Sequence, residues 1–269
     1  MSRGDVSSEK TSALMQVLSE LADLLDLAEG AVIVGGTVPF LLVPQESEPH
    51  EGTVDIDIVL DRNKKGFDEV YTLHEILERN SFVQDTIRPF QYSKGALVND
   101  ELHQINVELL GGGAMPPGGL ARIQTEDVYV SVIPGLEVAL DGPITIDLPG
   151  DNQGRIMVTS FPGFFAMKSL ALATRDEKMK SKDAYDIVYC LRNYPGGVEA
   201  AAEQYRAMIG NPLVREGLDR IEELFSDTAA IGPKAYAMSE SDLDEAQLMR
   251  REATERVREF VALVRAHGP

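Results

Sequence analysis

The sequence predicts an α+β fold in which a mixed sheet with flanking helices is followed by a helical C-terminal lobe. Up to residue 159, short apolar runs alternate with turn residues such as Gly, Pro, Asn and Asp, a pattern typical of strands. From Ser160 onward the apolar residues recur at helical spacing. This change of pattern predicts two domains, 1–160 and 161–269.

The first elements are predicted from leucine spacing and turn residues. A helix is predicted over Ser7–Glu29, because its leucines lie at i, i+4, i+7 and i+11 and Gly30 follows as a stop signal. A strand over Ala31–Val34 and a short helix follow, and Pro39 falls early in that helix, where its missing N–H is tolerated. The next predicted elements are a strand that contains Asp55–Leu60 and a helix over Lys65–Asn80.

Further strands and helices complete the predicted order. The strands are 81–83, 87–92, 103–110, 136–140, 144–148 and 155–159, and the helices are Gly163–Arg175, Lys182–Asn193, Gly197–Ile209, Pro212–Phe225 and Ser241–Ala266. Asp141 and Gly142 between apolar runs predict a hairpin. The glycine-rich segment 111–119 is interpreted as a plain connector in preference to a substrate loop.

The charge of the chain limits its partners. A formal net charge of −19 argues against broad, non-specific binding of nucleic acid, which needs a basic surface. A local basic site is compatible with this charge, because the segment from Lys168 to Arg192 carries six basic and four acidic side chains and is therefore at +2.

Several classes of protein are excluded by what the sequence lacks. No apolar run approaches the length of about 18 residues that a transmembrane helix needs, and the first ten residues lack the apolar stretch of a signal peptide. We therefore expect a cytoplasmic protein with no membrane partner. The four histidines show no zinc-ligand spacing, and the P-loop and G-x-S-x-G patterns are absent. Cys190, the single cysteine, is interpreted as a small buried hydrophobe.

Two neighbouring signals predict chemistry on a nucleoside triphosphate. Asp55 and Asp57 alternate with Ile56 and Ile58 along one strand, so both carboxylates lie on the same face and need a cation or a shared proton. The run Gly35–Thr37 marks a strand-to-helix turn whose backbone N–H groups favour a phosphate. Alone, a glycine pair is usually a turn and two spaced aspartates are often solvated. Together they indicate metal-dependent chemistry.

These motifs resemble those of a known family. The GGT run followed by TVDIDIVLD resembles the nucleotidyltransferase superfamily, whose pattern is G-G/S, a helix, and then D-x-D on the next strand. Residues 165–175 and 182–187 are similar to the Lys-x-x-Ala-Leu…Arg…Lys-Asp-x-x-Asp pattern of the AbiEii/AbiGii-type nucleotidyltransferase toxins. The resemblance covers residues 31–195 and implies a nucleotidyltransferase-fold sheet.

The metal ligands predicted from these motifs are Asp55, Asp57 and Glu108. Nucleotidyl transfer with two Mg²⁺ (or Mn²⁺) ions needs convergent carboxylates, and a third usually comes from a neighbouring strand. Glu108 is the one acid in the alternating apolar strand 103–110. The alternative interpretation of Glu108 is an exposed acid on a strand face.

The second motif predicts phosphate-binding cations and helical carboxylates. The resemblance implies that Lys168 contacts the triphosphate. The seven-residue offset places Arg175 on the same side of the helix, where Arg175 would help to orient the triphosphate. Asp183 and Asp186 share a face of the next helix, and either could deprotonate the acceptor hydroxyl or hold Lys168. We expect Asp183 to act in the chemistry and Asp186 to support it. The predicted nucleotide-binding residues are Gly35, Gly36, Thr37, Lys168, Arg175 and Asp186.

The resemblance implies an enzyme that moves a nucleoside monophosphate from an NTP to an acceptor. It implies an RNA acceptor, with the tRNA 3′ end as the expected example, and a toxin–antitoxin system with a cognate antitoxin protein. One alternative is a small-molecule enzyme like the aminoglycoside nucleotidyltransferases, since an acidic surface suits cationic substrates. A catalytically silent binding module is the other, and intact Asp55, Asp57 and Lys168 argue against it.

Overall fold

A computed structural model of the protein describes residues 3–25, 31–43, 50, 53, 55–61, 71–113, 119–124, 126–148 and 154–266. The predicted α+β class is confirmed: strands occupy the first part of the chain and a helical region ends it. The chain divides into two compact units. The first, here the sheet unit, comprises Met1–Leu41 and Glu51–Ser160; the second, the helical unit, comprises Leu42–His50 and Phe161–Pro269.

The sheet unit contains a mixed sheet, with nine strands in the part of the chain that the structure describes. The strands are β1 Ala31–Val34, β2 Asp55–Leu60, β3 Val83–Gln84, β4 Gln91–Val98, β5 Glu101–Gly111, β6 Gly119–Ile123, β7 Val128–Val132, β8 Ile144–Asp147 and β9 Arg155–Val158. Their order in the sheet is β3-β4-β5-β2-β1-β9-β8, and β7 pairs with both β5 and β6. Parallel pairs are β2–β5, β1–β9 and β5–β7, and the other pairs are antiparallel.

Helix α1 (Arg3–Leu25) covers the apolar face of this sheet, where it packs on β4, β5 and β9. Leu14, Leu18 and Leu21 are buried, as their spacing predicts. The predicted stop at Gly30 lies outside the described residues. Helix α2 (Val38–Leu42) comes directly after the turn Gly35–Thr37 and before β2. Helix α3 (Leu73–Arg79) comes after β2 in the sequence.

Some predicted elements of this unit differ in the structure. The predicted strand 136–140 is wrong: Leu136–Leu140 is a 3-10 helix that begins after Gly135, whose φ of 90° is left-handed. A short apolar run is compatible with either conformation. Because no strand precedes Asp141-Gly142, these residues end the 3-10 helix, and the hairpin predicted there is not formed. The hairpin β6–β7 was not predicted. Helix α3 begins only at Leu73, after a capping box formed by Thr72 and Glu75. Residues 65–70 of the longer predicted helix lie outside the described residues.

The helical unit agrees closely with the sequence prediction. All five predicted helices are present with shifted ends, and within the described residues 161–266 the short α8 is the one helix that was not predicted. The bounds are α4 Phe161–Leu172, α5 Glu177–Asn193, α6 Gly197–Ala207, α7 Pro212–Leu224, α8 Ile231–Tyr236 and α9 Leu243–Ala266. Cys190 is buried in α5, as predicted. Among the described helices, none has the length and apolar character that crossing a membrane requires.

An aromatic core and one close helix contact hold the helical unit together. The Phe165 ring lies 4.8 Å from Phe260 and 5.6 Å from Tyr205, centroid to centroid. The Tyr205 hydroxyl donates to the Val214 carbonyl at 2.7 Å, so its polar end is satisfied. A Cβ at Gly217 would lie 2.8 Å from the Ala166 Cα, so glycine allows α7 to pack directly on α4, the helix that carries Lys168.

Candidate active site

Three acidic side chains lie on one face of the sheet unit. In β2, Asp55 and Asp57 are half-buried, whereas Ile56 and Ile58 are buried on the opposite face, as the alternation predicts. The parallel pairing of β2 with β5 places Glu108 beside Asp57. Asp55, Asp57 and Glu108 therefore belong to the same polar face.

The surroundings of Glu108 on this face raise its pKa. Burial is the larger cause and the charge of Asp55 is the second, while Arg88 offsets them in part. Asn106, which sequence reasoning did not single out, pairs with Asp55 in register and donates a hydrogen bond from Nδ2 to Asp55 Oδ1 at 3.0 Å. Its signal was the polar alternation of Asn106 and Glu108 within β5. This face concentrates negative charge in a partly desolvated place, and that charge favours a cation.

The glycine turn is fitted closely against Asp57. Residues Gly35–Thr37 form a 3-10 turn that continues directly into α2, and Gly35 has a φ of 74°. A Cβ on Gly35 would lie 1.8 Å from Asp57 Oδ2, so only glycine fits there. Thr37 is fully buried, and its hydroxyl donates to the Asp55 carbonyl at 3.1 Å. The turn is thus fixed to the strand that carries both aspartates.

Potential metal ligands form one tight group in the described part of the chain. Glu9, Glu101 and His103 have ligand atoms that all lie within 4.8 Å of one another, on α1 and β5. The predicted ligands Asp55, Asp57 and Glu108 lie on the paired strands β2 and β5, but their carboxylate oxygens do not form a group as close as this one. Their oxygen atoms are nevertheless of the type that hard divalent cations prefer.

A buried ion cluster lies in the helical unit. Lys168 of α4 and Asp183 and Asp186 of α5 are all buried. Lys168 Nζ donates to Asp183 Oδ1 at 2.6 Å and lies 2.7 Å from Asp186 Oδ2. Arg175 Nη1 lies 3.0 Å from both oxygens of Asp183. The structure therefore brings together all four residues of the second motif.

Arg175 reaches this cluster from a different place than predicted. Helix α4 ends at Leu172, so Arg175 lies in the connection to α5 and not on a helix face shared with Lys168. Its side chain keeps 37% of its surface exposed, whereas Lys168 keeps 8%. Arg175 is accordingly the more accessible of the two cations.

His50 completes the cluster and was missed by sequence reasoning. Its Nε2 lies 2.9 Å from Asp186 Oδ1, and its ring lies 4.8 Å from the Tyr189 ring. The two partners are 136 positions apart, so no local pattern links them. Burial opposes ionisation of Asp186, but Lys168 and His50 outweigh it and hold the pKa of Asp186 below its usual range. Burial likewise opposes the charge of Lys168, yet the two aspartates raise its pKa.

Comparison with known proteins identifies the family. The chain matches the model of the nucleotidyl transferase AbiEii toxin family, of type IV toxin–antitoxin systems, over residues 16–263. It belongs to the AbiEii family. The resemblance derived from the motifs is confirmed. Searches among curated proteins and among solved structures find no match.

AbiEii membership gives the two groups of residues a chemical context. It implies nucleotidyltransferase activity, a nucleotide substrate and an antitoxin partner. A transferase of this type must neutralise a triphosphate and hold it while an acceptor oxygen attacks the phosphorus. The polar face carries carboxylates, whose oxygen atoms are of the type that divalent cations prefer. The ion cluster of the other unit carries two positive side chains that form ion pairs with their neighbours.

Proposed function

We propose that the protein transfers a nucleoside monophosphate from an NTP to an RNA acceptor, with the tRNA 3′ end as the expected site, as a cytoplasmic toxin. The observation that carries this proposal is the polar face on which Asp55, Asp57 and Glu108 lie beside the glycine turn. In the reaction, an acceptor hydroxyl oxygen bonds to the α-phosphorus, the bond to the bridging oxygen breaks, and pyrophosphate leaves. The hydroxyl proton passes to a base.

The polar face suits Mg²⁺ or Mn²⁺. Asp55, Asp57 and Glu108 supply hard oxygen ligands. Burial and, second, the charge of Asp55 raise the pKa of Glu108, and a cation would stabilise its charged form against both. When bound in pairs, such ions stabilise both the attacking and the leaving oxygen. Asn106 keeps the Asp55 carboxylate oriented through its hydrogen bond.

The glycine turn is proposed to receive phosphate oxygens. Gly35 and Gly36 have no side chains, so backbone N–H groups can approach a phosphate closely. Thr37 fixes the turn through its bond to the Asp55 carbonyl, and any direct contact with the nucleotide comes from its backbone. This arrangement couples the position of the turn to that of the metal-binding strand.

The ion cluster is proposed to supply positive charge for the triphosphate. Lys168 is proposed to contact the triphosphate, as the family motif implies. Asp186 and Asp183 raise the pKa of Lys168 and so keep its side chain charged. Arg175, being more exposed, orients the phosphates. Asp183 is the proposed proton acceptor and Asp186 its support; complete burial of both aspartates also supports a role in positioning Lys168.

The test is transfer of label from each radiolabelled NTP in the presence of Mg²⁺ and total RNA. We expect label on RNA, lost in Asp57→Ala and retained in Asp147→Ala, a matched change at an exposed acid of β8. Label only on a panel of aminoglycosides would support the small-molecule alternative, which the charge of −19 favours. An unaltered rate of pyrophosphate release in Asp57→Ala would reject the metal assignment, and no release from any NTP would indicate a silent binding module.

A further inference from the structure

The polar face of the sheet unit continues beyond the carboxylates into a cleft. This cleft, of about 540 Å³, is formed by β3, the loop after it, β4 and β5. Four of its eleven lining residues carry side-chain amides, so we call it the carboxamide cleft. The four are Gln84, Gln91, Gln104 and Asn106, and Ser93, Arg88 and Asp85 are further polar residues of the lining. A volume of this size falls within the range of about 300–1,000 Å³ that is typical of small-molecule sites.

The strand register joins the cleft to the metal-binding carboxylates. Gln91 of β4 pairs with Glu108, and Ser93 pairs with Asn106, so all four side chains belong to one face. Asn106 both lines the cleft and donates to Asp55. The cleft is therefore continuous with the acidic face.

The sheet order places the cleft and the glycine turn on opposite sides of the two aspartates of β2. The order β4-β5-β2-β1 has the cleft on β4 and β5, the aspartates on β2, and the turn at the end of β1. An in-line displacement also requires the attacking and leaving oxygens on opposite sides of the phosphorus. If pyrophosphate leaves at the glycine turn, the acceptor approaches from the side of the cleft.

One amide of the cleft has an unused acceptor. Gln91 is 5% exposed, and its Oε1 is buried without a hydrogen-bond partner among the residues that the structure describes. Leaving a buried acceptor unsatisfied costs free energy, which a ligand that brings a donor would recover. Gln84, in contrast, donates from Nε2 to the Pro89 carbonyl at 2.7 Å, which fixes its side chain.

The rim of the cleft is held in shape by Asp85. Its Oδ1 accepts from the backbone N–H groups of Ile87 and Arg88, both at 2.8 Å. The same two bonds lower the pKa of Asp85, so the carboxylate stays charged and the loop stays capped. Ile87 is 88% exposed and the Arg88 guanidinium is also exposed, so the rim offers an apolar surface beside a cation.

We propose that the carboxamide cleft binds the terminal nucleobase of an RNA acceptor, an inference that rests on the proposed nucleotidyl transfer. Glutamine and asparagine amides present a donor and an acceptor together, the pair that hydrogen-bonds to a base edge. Unpaired RNA ends expose such edges, and exposed guanidinium planes stack on bases or contact their phosphates. The base of the incoming NTP has the same chemistry, but the glycine turn lies on the other side of the two aspartates of β2.

The test measures binding apart from turnover. It uses the full chain with Asp57→Ala and four fluorescent RNA hexamers that differ only in the 3′-terminal base, followed by anisotropy. Second changes are Gln91→Met, Gln104→Ala and, as the matched control, Gln124→Ala in the exposed turn after β6. Thermal unfolding checks each chain, and the exposed Gln104 keeps the test valid if Gln91→Met does not fold.

We expect the parent chain to prefer one 3′ base, on the order of tenfold over the weakest. Gln91→Met and Gln104→Ala should each weaken binding of that hexamer several-fold and level the preference, while Gln124→Ala should leave both unchanged. Affinity for Mg²⁺–NTP, measured by calorimetry on the same three changes in chains that keep Asp57, should equal that of the wild type.

Two results would overturn the inference. One is a base preference that persists in both Gln91→Met and Gln104→Ala. The other is a loss of NTP affinity with unaltered hexamer binding, which would assign the cleft to the base of the NTP. Failure of the proposed function is recognised separately. If the wild-type chain transfers no label to RNA but the base preference still depends on Gln91 and Gln104, the cleft stands and the transfer is rejected.

Discussion

The polar face and the ion cluster both contain carboxylates, but burial and the neighbouring charges differ between the two regions. On the polar face, Asp55, Asp57 and Glu108 are half-buried, and burial, followed by the charge of Asp55, raises the pKa of Glu108. In the ion cluster, Asp183 and Asp186 are completely buried, and the pKa of Asp186 is lowered. The difference arises from the cations. Lys168 and Arg175 are built into the cluster, whereas Arg88 offsets the charge at Glu108 only in part.

The carboxylates of the ion cluster are therefore neutralised by cations of the protein, whereas the negative charge of the polar face is neutralised only in part. The polar face should matter for turnover and little for stability, because its side chains repel one another. The ion cluster should matter for stability first, because each member satisfies another member in a dry environment. Substitutions in the two regions should therefore have opposite effects on turnover and on stability.

The largest expected effect is on turnover. Asp57→Asn keeps the shape of the side chain but removes its charge, and should lower the rate of pyrophosphate release by on the order of a thousandfold, because metal coordination contributes several kcal/mol to catalysis. The free energy of unfolding in urea should be unchanged or raised, since a repulsion is removed. A strongly destabilised Asp57→Asn would show that this carboxylate serves the fold.

The next effect is on stability. Asp186→Ala leaves Lys168 and His50 buried without this partner and should lower the free energy of unfolding by about 3–5 kcal/mol. Urea denaturation measures it, with Asp176→Ala as a comparison for loss of an ordinary helix cap, which costs about 1 kcal/mol. Equal losses in the two variants would remove the distinction between the regions.

A smaller effect concerns nucleotide affinity. Lys168→Ala should weaken binding of Mg²⁺–NTP about ten- to a hundredfold, because a charge-assisted contact to phosphate contributes roughly 1.5–3 kcal/mol. Calorimetric titration decides this, and Lys234→Ala in α8 serves as the matched control. Equal affinities for wild type and Lys168→Ala would confine Lys168 to a structural role.

The smallest effect is a pH dependence of the cluster. The pKa of Asp186 is lowered, so its contribution to stability is present above the usual value of 3.8 and is lost as the pH falls through its folded-state pKa. The pKa of Lys168 is raised, so its contribution is present below 10.5 and is lost as the pH rises through its folded-state pKa. The difference in unfolding free energy between wild type and Asp186→Asn should hence shrink as the pH falls below 3.8. A difference that stays constant well below this pH would contradict the assignment to Asp186, which contacts Lys168 and His50.

Local patterns explain what the sequence predicted correctly. The alternation around Asp55 and Asp57 and the helical spacing in the second half depend on near neighbours, so the strand and five helices were found. Residues 136–140 were assigned wrongly because a short apolar run fits a strand and a buried turn equally well.

Long-range pairing explains what the sequence missed. The contact of His50 with Asp186 and the alignment of Gln91 with Glu108 exist only after the chain has folded and the strands have found their register. In the sequence alone, both Gln91 and Gln104 have the pattern of solvated strand positions. The carboxamide cleft was therefore not predictable residue by residue.

The place of His50 along the chain also has a consequence for dissecting this protein. His50 precedes Asp55 by only a few residues, yet it belongs to the compact unit of the helices, where it contacts Asp186. A cut after Ser160 would leave His50 on one fragment and its aspartate on the other. The helical unit is encoded discontinuously, so a fragment that begins at Phe161 would lack a native partner of its most buried charges. Only a permuted or co-expressed chain would keep that partner.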